Sequence, residues 1–167
     1  LVARGARLIV TVDCGTNSAA AIDAANEAGA DVVVLDHHQV GGDLPAAVAV
    51  VNPNREDDIS GQGHLCAAGV VFVALVRTVG VLRERGFATP PPDLLRWLDL
   101  VALATVCDVV PLAGVNRAFV VKGLLAMRRL GNAGIAALAR VSRIGERLNS
   151  FHLSFVLGPR INAGGRI

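Results

Sequence analysis

Two short apolar runs, separated by an alanine-rich stretch, constrain this chain more than any other feature. Leu8-Ile9-Val10-Thr11-Val12 is a continuous, largely β-branched run, and Asp31-Val32-Val33-Val34-Leu35 is a second one. Such runs mark strands buried on both faces, as in parallel sheets covered by helices. Between them, Ala19 to Ala28 has a helical composition, and Gly29 stands where a glycine closes a helix. Strand, helix, strand over so short a crossover means a parallel pair. Val48-Ala49-Val50-Val51 supplies a third strand, ending at Asn52-Pro53-Asn54.

The rest reads differently. A polar loop runs from Arg55 to His64, and Cys66 to Val79 is a buried helix. Gly86 to Pro92 is a linker, and Asp93 can cap a helix running to about Val106. Val115 to Leu130, Ile135 to Ser142 and Ser150 to Leu157 are further helices. Gly158-Pro159 breaks the last of them and opens a loop to Arg166. The expected class is α/β, with a parallel-sheet domain at the front and a mainly helical C-terminal part.

With 167 residues, 53% of them hydrophobic and 18% charged, the chain can bury a sizeable core, which excludes intrinsic disorder. Its apolar runs are short and broken by Asp, Arg, Gly or Pro, so no membrane span is expected. The start at Leu1 and the end at Gly165-Arg166-Ile167 read as a piece of a longer protein. Cys14, Cys66 and Cys107 form no CxxC pair and no disulfide framework, which suits a reducing, cytoplasmic setting.

Charge is segregated. Residues 1–76 hold nine acids and three Arg, a net of −6, whereas residues 114–167 hold eight Arg, one Lys and one acid, a net of +8. Solvated helix faces account for any one of these charges. An acidic front and a basic back together suit a cation site beside a phosphate-binding surface. With five Phe, one Trp and no Tyr, base stacking is not the obvious mode of recognition.

Parallel sheets bind ligands at the carboxyl ends of their strands. Asp13 ends the first strand, and Asp36-His37-His38 ends the second. An Asp in this position also serves as a turn former or helix cap, so Asp13 alone leaves both readings open. Three polar groups directly after an apolar strand need partners, and imidazole with carboxylate suits Mn²⁺ or Mg²⁺ better than a structural zinc site. Asp108 lies among apolar residues in Thr105-Val106-Cys107-Asp108-Val109-Val110-Pro111, where a carboxylate must be capped, paired or metal-bound. Gly158-Pro159-Arg160-Ile161-Asn162-Ala163-Gly164-Gly165-Arg166 reads as a phosphate cradle or as a plain surface loop. Gly61-Gln62-Gly63 lacks the strand and the last glycine of a dinucleotide fingerprint, and no GxSxG elbow exists.

In order along the chain, Val12-Asp13-Cys14-Gly15, Asp36-His37-His38, Asn52-Pro53, Ala68-Gly69-Val70, the segment from Ala104 to Leu112, Asn116-Arg117 and the Gly158–Arg166 segment resemble the DHH phosphoesterase superfamily. Within it, the Arg-Ile-Asn-Ala stretch points to the RecJ single-strand-specific exonucleases. The resemblance implies a two-metal phosphodiesterase using Mn²⁺ or Mg²⁺. It casts Asp13 as the carboxylate bridging both metals, and His37 and Asp108 as ligands of one of them. Asp36 would hold the histidines from behind, and His38 would contact the scissile phosphate. Arg160, Asn162 and Arg166 would contact backbone or terminal phosphate. The expected partner is single-stranded DNA, degraded 5′→3′ to mononucleotides, with a single-strand-binding protein and a helicase as further partners.

The resemblance also gives a domain plan. Residues 1–113 would be a DHH-type core without the family's preceding strand and Asp-x-Asp motif. Residues 114–167 would be a basic helical part leading towards a C-terminal domain. A phosphodiesterase for oligoribonucleotides, cyclic dinucleotides or pyrophosphate, and an inactive binding module on the same fold, are the rival readings.

Overall fold

The structure is a computed structural model that describes residues 1–129, 131–145 and 147–164. The chain forms two compact units, Leu1–Thr78 and Val79–Ile167. The division expected from the family plan lay at 113/114, whereas the compact units divide at Thr78 and Val79.

In the first unit, β1 (Leu8–Val12), β2 (Asp31–Leu35) and β3 (Ala49–Val51) form a parallel sheet in the order β1-β2-β3. Helix α1 (Ala19–Glu27) connects β1 to β2 and ends where expected, with Gly29 in the left-handed region at φ 83°. Ile22 of α1 packs on Val32, Val34 and Val50, with Ile9 and Ala25 at the margin. Each such side chain contributes about 1.5–3 kcal/mol when fully buried.

The expectation that β1 is buried on both faces is not met. Ile9 and Thr11 point to the α1 side, whereas Leu8, Val10 and Val12 are exposed. A continuous aliphatic run carries no parity signal, so sequence could not separate one covered face from two.

Helix α2 (Ala67–Glu84) begins in the first unit and ends in the second. In the second unit, Asp93 accepts a hydrogen bond from the Leu95 N–H and starts a 3₁₀ turn that leads into α3 (Leu98–Cys107). Helix α4 (Gly114–Met127) lies against α3 so closely that a Cβ on Gly123 would overlap the Leu98 carbonyl and Ala102. Asn132 caps α5 (Ala133–Val141) by accepting from the Gly134 and Ile135 N–H groups. The core holds Ala102, Leu103, Val106, Val120, Met127 and Ile135, together with the fully buried Leu153 and Leu157.

The last segment corrects the expected loop. A short helix α6 (Ser150–His152), a π-helical turn (Leu153–Leu157) and α7 (Gly158–Gly164) follow one another directly. Pro159 is the second residue of α7 and falls inside this continuous helical stretch, directly after Gly158, whose N–H donates to the Leu153 carbonyl. Gly158 has helical angles. It is small because a Cβ there would come within 2.7 Å of Cys107 Sγ and 2.9 Å of the Leu153 carbonyl oxygen. The Gly-Pro pair therefore lies within a helical stretch, where the glycine serves packing, rather than at a break.

Candidate metal centre

The parallel sheet brings the carboxyl ends of its strands to one edge. The ladder runs to the residues that matter: the Asp13 N–H donates to the Leu35 carbonyl at 3.0 Å, and the Asp36 N–H to the Val51 carbonyl at 3.0 Å. Asp13 then turns the chain through a left-handed conformation, φ 61°, rare outside glycine but tolerated by Asp. Gly15 follows at φ 119°, where a Cβ would meet Thr11 Oγ1 at 2.6 Å and Val34 at 3.0 Å. The turn leaves the Asp13 carboxylate exposed and facing the end of β2.

Asp13 Oδ1 lies 3.2 Å from His37 Nε2. On the far side of the ring, His37 Nδ1 sits 3.1 Å from the Leu65 carbonyl oxygen. A carbonyl can only accept, so Nδ1 carries a proton, and Nε2 faces the carboxylate oxygen. Two electron-pair donors face each other, an arrangement that a proton or a cation must bridge. His38 completes the group: Asp13, His37 and His38 each offer one donor atom, and these atoms lie within 4.8 Å of one another. Carboxylate oxygen with imidazole nitrogen is a donor set that divalent cations accept, so the residues present fit a metal.

Behind them, Asp36 is 1% exposed. Its Oδ1 accepts from His38 Nδ1 at 2.7 Å and from the His37 N–H at 2.8 Å, and its Oδ2 accepts from the Thr16 N–H at 3.0 Å. Burial alone would push this carboxyl up. The hydrogen bonds from His38, Thr16 and His37 outweigh it and hold the group well below the usual carboxylate range.

Sequence reasoning missed the polar frame around Asp36. Asn52 Nδ2 donates to Thr16 Oγ1 and to the His38 carbonyl, and Asn54 Nδ2 donates to the His37 and Gly63 carbonyls. Thr16, Asp36 and Asn52 are all buried. Asn52 carried a signal as part of Asn-Pro at a strand end. Thr16 carried none, since a Thr in a turn reads as a cap.

The remaining candidates lie in the second unit. Asp108 is the C-cap of α3, and its N–H donates to the Ala104 carbonyl. Val109 follows at φ 57°, an unfavourable angle for a β-branched residue. The buried Asn116 donates to the Pro111 carbonyl and so ties this segment to α4. Arg160 and Asn162 are on α7, where Arg160 Nη1 donates to the Val156 carbonyl at 2.8 Å. Arg166 lies outside the described residues.

The chain is 46% identical over 173 residues to the single-stranded-DNA-specific exonuclease RecJ of Dickeya dadantii (strain 3937), and 43% identical over 171 residues to that of Escherichia coli (strain K12). Each match covers 99% of this chain, which spans 30% of the length of each relative. Among solved structures, exonuclease RecJ bound to manganese matches at a TM-score of 0.79 with 34% identity, covering 98% of this chain and 39% of that one. RecJ from Thermus thermophilus in complex with Mn²⁺ also matches at 0.79 and 34%, with 98% and 23% covered. The profile of the DHH family, N-terminal domain, matches residues 2–105, and with more than half of its length inside that match the chain belongs to the DHH family.

Proposed function

We propose that the chain supplies the metal-binding and phosphate-binding part of a RecJ-type exonuclease, which hydrolyses single-stranded DNA with Mn²⁺ or Mg²⁺. The observation that carries this reading is the 3.2 Å approach of His37 Nε2 to Asp13 Oδ1, with the His37 tautomer set by Leu65. Relatives named as single-strand-specific exonucleases and matched structures named with Mn²⁺ support it.

In this reading Asp13 and His37 hold the cation, and Asp108 is a further carboxylate ligand on the strength of the resemblance. Divalent cations acidify water and neutralise charge on a phosphodiester undergoing displacement. Asp36 keeps the proton of His38 on Nδ1, which orients the His38 ring towards the phosphate. Arg160, Asn162 and Arg166 hold phosphates. The polarity is 5′→3′ with release of mononucleotides. The setting is repair and recombination in the cytoplasm, alongside a single-strand-binding protein and a helicase. Residues 1–113 form the DHH-type core and residues 114–167 its basic helical part.

The test uses the full-length protein. Calorimetric titration with Mn²⁺ should show binding that Asp13→Ala abolishes and Asp108→Ala weakens. The wild type should degrade a labelled single strand and spare a duplex. Hydrolysis of cyclic dinucleotides or pyrophosphate without attack on single-stranded DNA would overturn the substrate assignment.

A further inference from the structure

Phe151 and Phe155 are 60% and 69% exposed on the helical segment that starts at Ser150, although the same segment buries Leu153 and Leu157 completely. Their rings pair with centroids 5.1 Å apart at an interplanar angle of 38°, so they form one aromatic surface rather than two scattered side chains. We propose that this pair is a stacking platform for the bases of a single nucleic-acid strand.

Three features support this. The platform is rigid: Asn149 and His152 cap each other reciprocally just at Phe151, and Leu153 and Leu157 anchor the opposite face. Phe155 also lies in the π-helical turn, a geometry that is rare and concentrated at functional sites. The charge of this part of the sequence suits a polyanion. From Val109 to Ile167 the sequence contains eight Arg, Lys122 and a single acid, Glu146. Exposed aromatic rings on so basic a stretch of chain match the way single strands are bound without sequence preference. Basic groups take the backbone, and rings take the bases, since every base has a π-face. A protein partner would use the aromatic pair but would need acidic groups of its own to match this charge.

The inference rests on the single-strand reading above and adds a base-contacting element to it. Its test is anisotropy binding of full-length protein, in EDTA so that nothing is cut, to oligothymidylates carrying one abasic site walked along the strand. An abasic site keeps the phosphate and removes the ring. For the wild type, the abasic site should weaken binding about fivefold or more at one or two adjacent positions. Phe151→Leu/Phe155→Leu should weaken binding to the intact strand about tenfold and erase that positional penalty, with its melting temperature unchanged because both rings are exposed. Phe151→Trp/Phe155→Trp should keep the penalty. A leucine variant that retains wild-type affinity and the penalty overturns the platform alone, as does a wild type with no positional penalty. A wild type that binds no single-stranded DNA overturns the exonuclease reading and the platform together.

Discussion

His38 Nδ1 lies 2.7 Å from Asp36 Oδ1, and that carboxylate is sealed from solvent. A carboxylate held well below its usual range is ionised at any working pH, so the shared proton belongs to His38. The same Asp36 oxygen takes the His37 N–H. One buried charge therefore fixes the ring state of one histidine and the backbone of the other. This is how partners behind a metal site orient its ligands and set their tautomers.

Asp36→Asn should separate these roles. The amide keeps one acceptor but turns a donor towards another donor, so the first unit should lose about 1–3 kcal/mol of stability. The pH dependence gives the sharper readout. Asp36 is depressed in the folded state and ordinary, near pH ~4, in the unfolded chain. Its contribution is present above the unfolded value and lost as pH falls below it. Urea midpoints measured from pH 7 to pH 3 should fall for the wild type below about pH 4 and be flatter for Asp36→Asn. Parallel curves would show that Asp36 does not carry the acid lability.

Asp13 sits at φ 61°, so the carboxylate proposed to hold the cation occupies a position that glycine would fill with less strain. Asp13→Gly should leave thermal stability unchanged or raise it by up to about 1 kcal/mol. The same variant should abolish Mn²⁺ binding. Asp13→Asn should also retain the turn and lose affinity. Loss of fold in both variants would mean that the carboxylate holds the turn rather than a cation.

The fold and the site were legible to different degrees. Apolar runs and a glycine-closed helix are local signals, and they placed all three strands and α1. Asp13 and Asp36-His37-His38 were legible because parallel strands must end at one edge. The Thr16, Asn52 and Asn54 frame was not, because small polar residues in turns look alike until tertiary contacts choose their partners. The segment after Gly158 was misread for a similar reason. Gly-Pro is a breaker by composition, yet here the glycine answers to Cys107, far away in sequence.

That contact yields a stability prediction. Gly158→Ala places a methyl group 2.7 Å from Cys107 Sγ and 2.9 Å from the Leu153 carbonyl oxygen. The carbonyl belongs to the π turn and cannot retreat without loosening Leu153 and Leu157, both fully buried. The overpacking should cost about 1–3 kcal/mol. Cys107→Ala in the same chain should recover part of it by removing the sulfur. A double-mutant cycle in denaturant measures the coupling, and strict additivity would mean that the two residues do not clash.

Arg160 offers the clearest separation of binding from stability. Its Nη1 donates to the Val156 carbonyl, which leaves most of the guanidinium fork facing outward from α7. Losing that exposed bond in Arg160→Ala should change stability by no more than about 0.5–1.5 kcal/mol. If the fork holds a backbone phosphate, the variant should bind single-stranded DNA more weakly whatever its sequence, and the slope of log affinity against log salt should fall by about one. Arg160→Lys should restore much of the salt slope but not the full affinity, because an ammonium cannot grip a phosphate with two parallel bonds. Mn²⁺ affinity should be the same in all three proteins, since the proposed ligands Asp13 and His37 lie at the carboxyl ends of β1 and β2. Titrations at several salt concentrations decide the matter: an unchanged slope and affinity in Arg160→Ala would reduce Arg160 to a clamp on the π turn.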